Sequence, residues 1–427
     1  MKRILNFIKK IVNNDYLFSV VAKVLGLFIA VVLSVLTARY FGTELKGISA
    51  IISNDISLYA VFLGLGVYQA YPFYRKTEPE IYTTYINHIF TYFCLLEAIA
   101  AIVAIIMFQM QWNIFLAVAI LFMPVEAYIK QLNYVVLCEH PRRRNLSSLL
   151  ISLSEIVLLV LLWIFFDASV ATVITYTCAA YIFNLLLSFI NLRANPFKLR
   201  FQFRRMWEFV KFGFVPMLVY LCMTINYKID IQMLKWFDNV SYSDIGIYSV
   251  GVSLAAKIWL IPDAIKDILL SKLVKGKGEE EVAKVLRINL AICVAATVFL
   301  ILLGKPLVNL LYGKEFEQVY YVMVLLLVGM LGMIFYKMVY SFNVAQGKRT
   351  INLVFLLIAA IVNVIGNFLL IPHFGMWGAA VMSIVSYNIC GLCFLIYFKK
   401  VSKIPYFKLL FVQKQDLLDI KTFLQKN

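Results

Sequence analysis

At 427 residues, 63% hydrophobic and 15% charged, the chain lies far from the roughly one-quarter charged, one-half apolar make-up of soluble domains, and a soluble fold is excluded. Mean hydropathy is +0.86, carried by uncharged runs longer than the ~20 residues an α-helix needs to cross a bilayer, and backbone satisfaction in lipid demands helices there. The formal charge of +17 does not signal nucleic acid, because the basic residues flank apolar runs, where they act as topology signals and headgroup anchors.

In chain order, residues 1–15 form a cytoplasmic leader in which Ile4, Phe7, Ile8 and Ile11 recur at helical spacing between lysines, the pattern of an interfacial amphipathic helix. Twelve apolar spans follow, at 16–38, 48–70, 86–108, 113–137, 146–166, 169–192, 209–233, 244–268, 288–311, 319–343, 351–371 and 376–398. Loops on the side of the termini hold 28 of the 40 Lys and Arg residues and opposite positions hold 5, so both termini are expected in the cytoplasm. A basic linker, 193–208, divides a first six-helix bundle (16–192) from a second (209–398), and a basic cytoplasmic tail, 399–427, closes the chain. Lys46-Gly47-Ile48-Ser49-Ala50-Ile51 resembles Ile245-Gly246-Ile247-Tyr248-Ser249-Val250, a parallel internal repeat of the two halves. Two such halves facing one another would enclose a cavity open to either side in turn.

A charge near mid-membrane costs about 2.5–3.5 kcal/mol on insertion scales and therefore marks a wet cavity or a partner. Lys211, Lys266 and Asp267 lie near the cytoplasmic boundary and can snorkel. Glu126 and Lys130, spaced i, i+4, form a structural pair. Lys257 lies near the midplane of its span, and with Lys23, Lys228 and Lys337 it forms a set of cations suited to phosphate groups; the alternative is four separate ion pairs, with Lys228 balanced by Asp230. Asp55, Glu97, Glu155 and Asp230 are the ion-coupling or gating candidates, since a desolvated carboxyl group can carry a proton; cross-helix ion pairs to lysine are the alternative. Pro124, Pro216 and Pro262 should kink their spans. No G-x-x-x-x-G-K-[ST] loop occurs, and the three histidines are widely separated, so neither ATP hydrolysis, a metal centre nor another cofactor is expected.

Thr37-Ala38-Arg39-Tyr40-Phe41-Gly42, followed by Gly47-Ile48-Ser49-Ala50, resembles the first helix and loop of the polysaccharide-transporter (Wzx-type O-antigen and capsule flippase) family. The segments INYKIDIQML (225–234), DIGIYSVGVSLAAKIWLIPDAI (244–265), LLGKPLVNLLYGKEF (302–316) and IVNVIGNFLLIPHFGMWGAAVMSIVSY (361–387) resemble family signatures in order along nearly the whole chain. Lys257 stands where relatives often carry an acid, and Lys228 where they often carry arginine. The resemblance implies an all-α polytopic fold of the multidrug/oligosaccharidyl-lipid/polysaccharide exporter type, two six-helix bundles around a V-shaped cavity. It implies an ion-coupled flippase, not an enzyme, in the bacterial cytoplasmic membrane. The cargo implied is an undecaprenyl-diphosphate-linked oligosaccharide for O-antigen, capsule or exopolysaccharide synthesis. Expected partners are that lipid-linked substrate, membrane lipids, and the polymerase and chain-length regulator of the same pathway. The alternatives are a drug/cation antiporter or cell-wall-precursor flippase on the same fold, or a membrane glycan polymerase or ligase.

Overall fold

The structure is a computed structural model that describes residues 15–192, 199–276, 278–416 and 418. The expected leader helix, the middle of the basic linker and the end of the tail fall outside these residues. Long helices account for almost all of the described chain: α1 (Asp15–Leu63), α2 (Tyr71–Thr77), α3 (Ile81–Gln109), α4 (Ile114–Glu139), α5 (Pro141–Phe165), α6 (Val170–Ile190), α7 (Phe203–Leu234), α8 (Tyr242–Ala255), α9 (Leu260–Val274), α10 (Glu279–Tyr312), α11 (Gln318–Ala345), α12 (Arg349–Ser402) and α13 (Tyr406–Leu410). No strand occurs among the described residues.

Ten described helical runs have the length and hydropathy to cross a membrane. Two of them cannot be straight. Helix α1 holds 49 residues, and Gly42 within it has φ 66° and ψ −175°, which no α-helix contains. Lys46 Nζ donates to Thr37 Oγ1 at 2.9 Å, whereas nine residues of straight helix separate two positions by about 13 Å. The chain folds back at Gly42 because glycine alone adopts that conformation without a Cβ penalty. Gly375 (φ 53°, ψ −133°) reverses α12 likewise. Beyond it Ser386 returns beside Asn363, whose Nδ2 donates to Ser386 Oγ at 3.0 Å. Each of these two runs therefore contains two helical rods.

The chain divides into two compact units, Met1–Leu221 and Cys222–Asn427, and the division falls inside α7. In the first unit Tyr40, Phe41, Ile48, Ile52 and Ile56 pack on Phe122, Ile129, Leu159 and Val173. Tyr71, Tyr85, Ile89, Tyr128 and Phe209 form a second, aromatic-rich cluster, with Tyr128 stacked on Phe93 at 4.5 Å. The outward faces of α3 and α5 expose Ile99, Ile102, Phe108, Val157, Ile164 and Phe165. Apolar exposure on this scale suits lipid rather than water. In the second unit α11 is the most enclosed helix, burying Leu326, Leu327, Met330, Met333, Met338 and Phe342.

The expected second span, 48–70, ends early, since α1 stops at Leu63. Gly66 takes φ 66° and precedes a 3-10 turn, Val67–Ala70. The reason is a close backbone crossing: a Cβ on Gly213 would lie 2.1 Å from Gly66 O, and one on Gly66 2.4 Å from Gly213 O. Only two glycines allow α7 to press on this turn. Gly213→Ala should lower stability by about 2–3 kcal/mol, the upper range for overpacking. Thermal unfolding of detergent-purified protein checks this, with Gly278→Ala as control because nothing lies within 4 Å of a Cβ there.

Candidate functional site

The most completely built polar site lies in the second unit, around Asp230. On α7, Asn226 and Asp230 are four residues apart and share a helix face. Asp230, 2% exposed, accepts hydrogen bonds from three neutral donors. Tyr248 Oη of α8 lies at 2.7 Å, Asn367 Nδ2 of the first α12 rod at 2.7 Å, and Ser383 Oγ of the second rod at 2.5 Å. A second layer holds the first in place: Asn363 Oδ1 accepts from Asn367 Nδ2 at 2.9 Å, and Asn363 donates to Ser386.

Asp230 makes no ion pair among the described residues, so pairing with Lys228 is corrected. Residues i and i+2 diverge by about 200° around a helix, so Lys228 and Asp230 stand on different faces of α7. Asn367 Oδ1 and both amide atoms of Asn226 are enclosed without a hydrogen-bond partner. A buried carboxylate ringed by amide and hydroxyl oxygens suits a proton or a hard monovalent cation better than a metal that prefers nitrogen or sulfur. No group of three or more His, Cys, Asp and Glu residues able to hold a metal ion occurs among the described residues.

The second polar cluster surrounds a break between α8 and α9. Pro262 has no N–H for the carbonyl of Ile258, four residues earlier. That carbonyl accepts instead from Cys293 Sγ of α10 at 3.7 Å, and the chain before the proline tightens into a 3-10 turn, Ala256–Trp259. Trp259 Nε1 donates to Met330 O of α11 at 3.0 Å. Lys337 of α11 sits over the Trp259 ring at 4.7 Å and donates to Asp263 Oδ1 of α9 at 2.6 Å. Lys257 occupies the 3-10 turn itself, half-buried, and Lys228 is half-buried on α7.

In the first unit Glu126 and Lys130 lie 3.1 Å apart, and Lys130 Nζ also donates to Ser57 O at 3.3 Å. Asp55 is buried two residues before that carbonyl. Glu97 and Glu155 are half-buried on α3 and α5 and make no ion pair among the described residues; one Glu97 oxygen, Oε2, is enclosed without a hydrogen-bond partner. Lys23 is exposed on the first rod of α1, in a different unit from the other three lysines. The sequence marks Asp230 and Lys337 as charges within spans but does not mark Tyr248, Asn367 and Ser383, which hold Asp230. Asn363 and Asn367 at i, i+4 and Ser383 and Ser386 at i, i+3, each pair on one face of an apolar helix, were the available signal.

The described residues share their all-helical fold with solved lipid flippases and multidrug transporters. A solved lipid II flippase MurJ in an inward closed conformation aligns at a TM-score of 0.75 with 16% identity, covering 96% of this chain and 93% of that one. An inward-facing multidrug resistance MATE transporter of the MOP superfamily aligns at 0.67 with 12% identity, over 88% and 94%. A MOP superfamily transporter from Pyrococcus furiosus aligns at 0.59 with 14% identity, over 91% and 96%. At such identities the likeness is one of fold. Among curated proteins, the capsular polysaccharide biosynthesis protein CapF of Staphylococcus aureus is 26% identical over 164 residues, 37% of this chain and 41% of that relative, about two fifths of its length. The family model of the lipid II flippase MurJ matches residues 143–426. The chain belongs to the MurJ family, whose members are membrane transporters rather than enzymes.

Proposed function

We propose that this protein flips an undecaprenyl-diphosphate-linked oligosaccharide repeat unit from the inner to the outer leaflet of the bacterial cytoplasmic membrane, by ion-coupled alternating access. The family membership supports a lipid-linked cargo, and the similarity to a capsular polysaccharide biosynthesis protein supports a surface glycan. The observation that carries the coupling is Asp230, a carboxylate enclosed among neutral donors in an apolar bundle. Binding a proton or cation there removes a buried net charge, so the two states of the site differ in the conformation they favour. Asp55, Glu97 and Glu155 are further carboxylates able to respond to protonation, and Lys23, Lys228, Lys257 and Lys337 supply cations along the path of the diphosphate. The exported unit would pass to the polymerase and chain-length regulator of its pathway.

The match to the lipid II flippase family favours a second reading, in which the cargo is a cell-wall precursor. Native mass spectrometry of gently solubilised protein from its host separates the two. The first reading expects a co-purifying undecaprenyl-diphosphate species with the mass of the host's repeat-unit glycan. A co-purifying lipid II would replace it with the second.

A further inference from the structure

The Lys337–Asp263 pair is asymmetric. Lys337's side chain is 8% exposed and Asp263's 47%. Lys337 is held from two directions, by the Trp259 ring face and by the Asp263 carboxylate, and the indole is itself pinned to α11 through Met330. The ammonium has nowhere to go, whereas the carboxylate can swing into water at little cost. Lys266, three residues beyond Asp263 on α9, stands on the helix face from which it can take up the released carboxylate. Tyr227 lies nearby, its ring 4.9 Å from Trp259, its hydroxyl enclosed with no acceptor and within electrostatic range of Asp263.

We infer that Lys337 is a docking cation for a diphosphate group and that Asp263 is its stand-in anion, occupying the site until the diphosphate displaces it. The exchange swaps one anion for another on a buried ammonium that is never left bare, which avoids the cost of an unpaired charge. It also makes Asp263 a determinant of affinity, since every bound diphosphate must first outcompete it. Tyr227 then donates to a phosphate oxygen. The inference rests on the reading of a diphosphate-linked cargo.

The test measures binding to the purified full-length protein in lipid nanodiscs, with farnesyl diphosphate and inorganic pyrophosphate as separate probes. Asp263→Asn should tighten farnesyl diphosphate binding about tenfold, and the gain should vanish in Asp263→Asn/Lys337→Gln. Tightening of both probes assigns the site to the bare diphosphate; tightening of the farnesyl probe alone assigns it to a diphosphate delivered on a lipid. No tightening of either probe, or the same gain without Lys337, overturns the inference. Should Asp263→Asn fail to fold, Lys337→Arg and Lys337→Gln decide instead. Arginine should keep farnesyl diphosphate binding within about threefold and glutamine should weaken it about tenfold; equal binding by the two overturns the inference. Neither probe carries sugar, so intact probe binding with failed glycan export counts against the cargo and not against this site.

Discussion

Asp230→Asn should abolish gradient-driven glycan export, by about 100-fold or more on the scale of lost buried charged-group interactions, while the protein still reaches the membrane at normal level. The carboxylate accepts from Tyr248, Asn367 and Ser383. An amide keeps the shape and one acceptor oxygen but brings an NH2 group into a ring made of donors. It also cannot exchange a proton or balance a cation. Asp230→Ala is a harsher change, since it strands three buried donors at about 1–3 kcal/mol each, and loss of stability would then mask the transport defect. The isosteric variant is therefore the informative one. Export measured as cell-surface glycan, set against membrane level by immunoblot, checks it. Wild-type export by Asp230→Asn would remove this residue from the coupling scheme.

Arg287→Ala should undock the segment that follows the last rod. Arg287 of α10 forms a two-bond pair with Asp416, Nε to Oδ2 at 2.5 Å and Nη2 to Oδ1 at 2.6 Å, and its Nη1 donates to Lys408 O. Asp416 is 1% exposed, and Leu409 of α13 is fully buried. Removing one partner of a buried pair costs about 3–5 kcal/mol. We expect the lower end, because the Asp416 carboxylate regains water once the segment undocks. Residues 406–416 should then become protease-sensitive while the spans stay intact. Removing both partners should recover part of the loss, because no bare carboxylate remains.

The same contact carries a pH dependence. Hydrogen bonds from the Arg287 guanidinium, with help from the Gln413 N–H, hold the Asp416 carboxyl below its ordinary range. A depressed carboxylate contributes stability that is fully present above its unfolded value, 3.8, and is lost as pH falls through the folded value. The docked segment should therefore be unaffected between neutral pH and about 5 and be released only in stronger acid. Hydrogen exchange of residues 406–416 across that range measures it.

The bilayer makes much of the fold legible, because length and hydropathy decide where a helix can lie. Runs such as 86–108 and 319–343 sit within α3 and α11 for that reason. Turn geometry is less visible. The sequence suggests a nine-residue loop between Ala38 and Ile48, yet the helix runs on and reverses at Gly42 alone. The loss of helix after Leu63 depends on Gly213, about 150 residues away, which no local pattern displays.

The site divides in the same way. That Asp230 and Lys337 need partners follows from the cost of a charge in lipid, a property of each residue alone. Their partners come from packing: Asn367 and Ser383 reach Asp230 across 137 and 153 residues. Lys337 meets Asp263 across 74 residues, a pairing that no local pattern in either span displays. Neighbours in sequence mislead here, as Lys228 and Asp230 demonstrate.

Purified protein in liposomes, supplied with a labelled undecaprenyl-diphosphate oligosaccharide on one leaflet, tests the central claim most directly. With an ion gradient imposed, the label should reach the opposite leaflet in the wild type and remain in place in Asp230→Asn. Folded wild-type protein that moves none of the host's own lipid-linked glycan under any gradient would contradict the account.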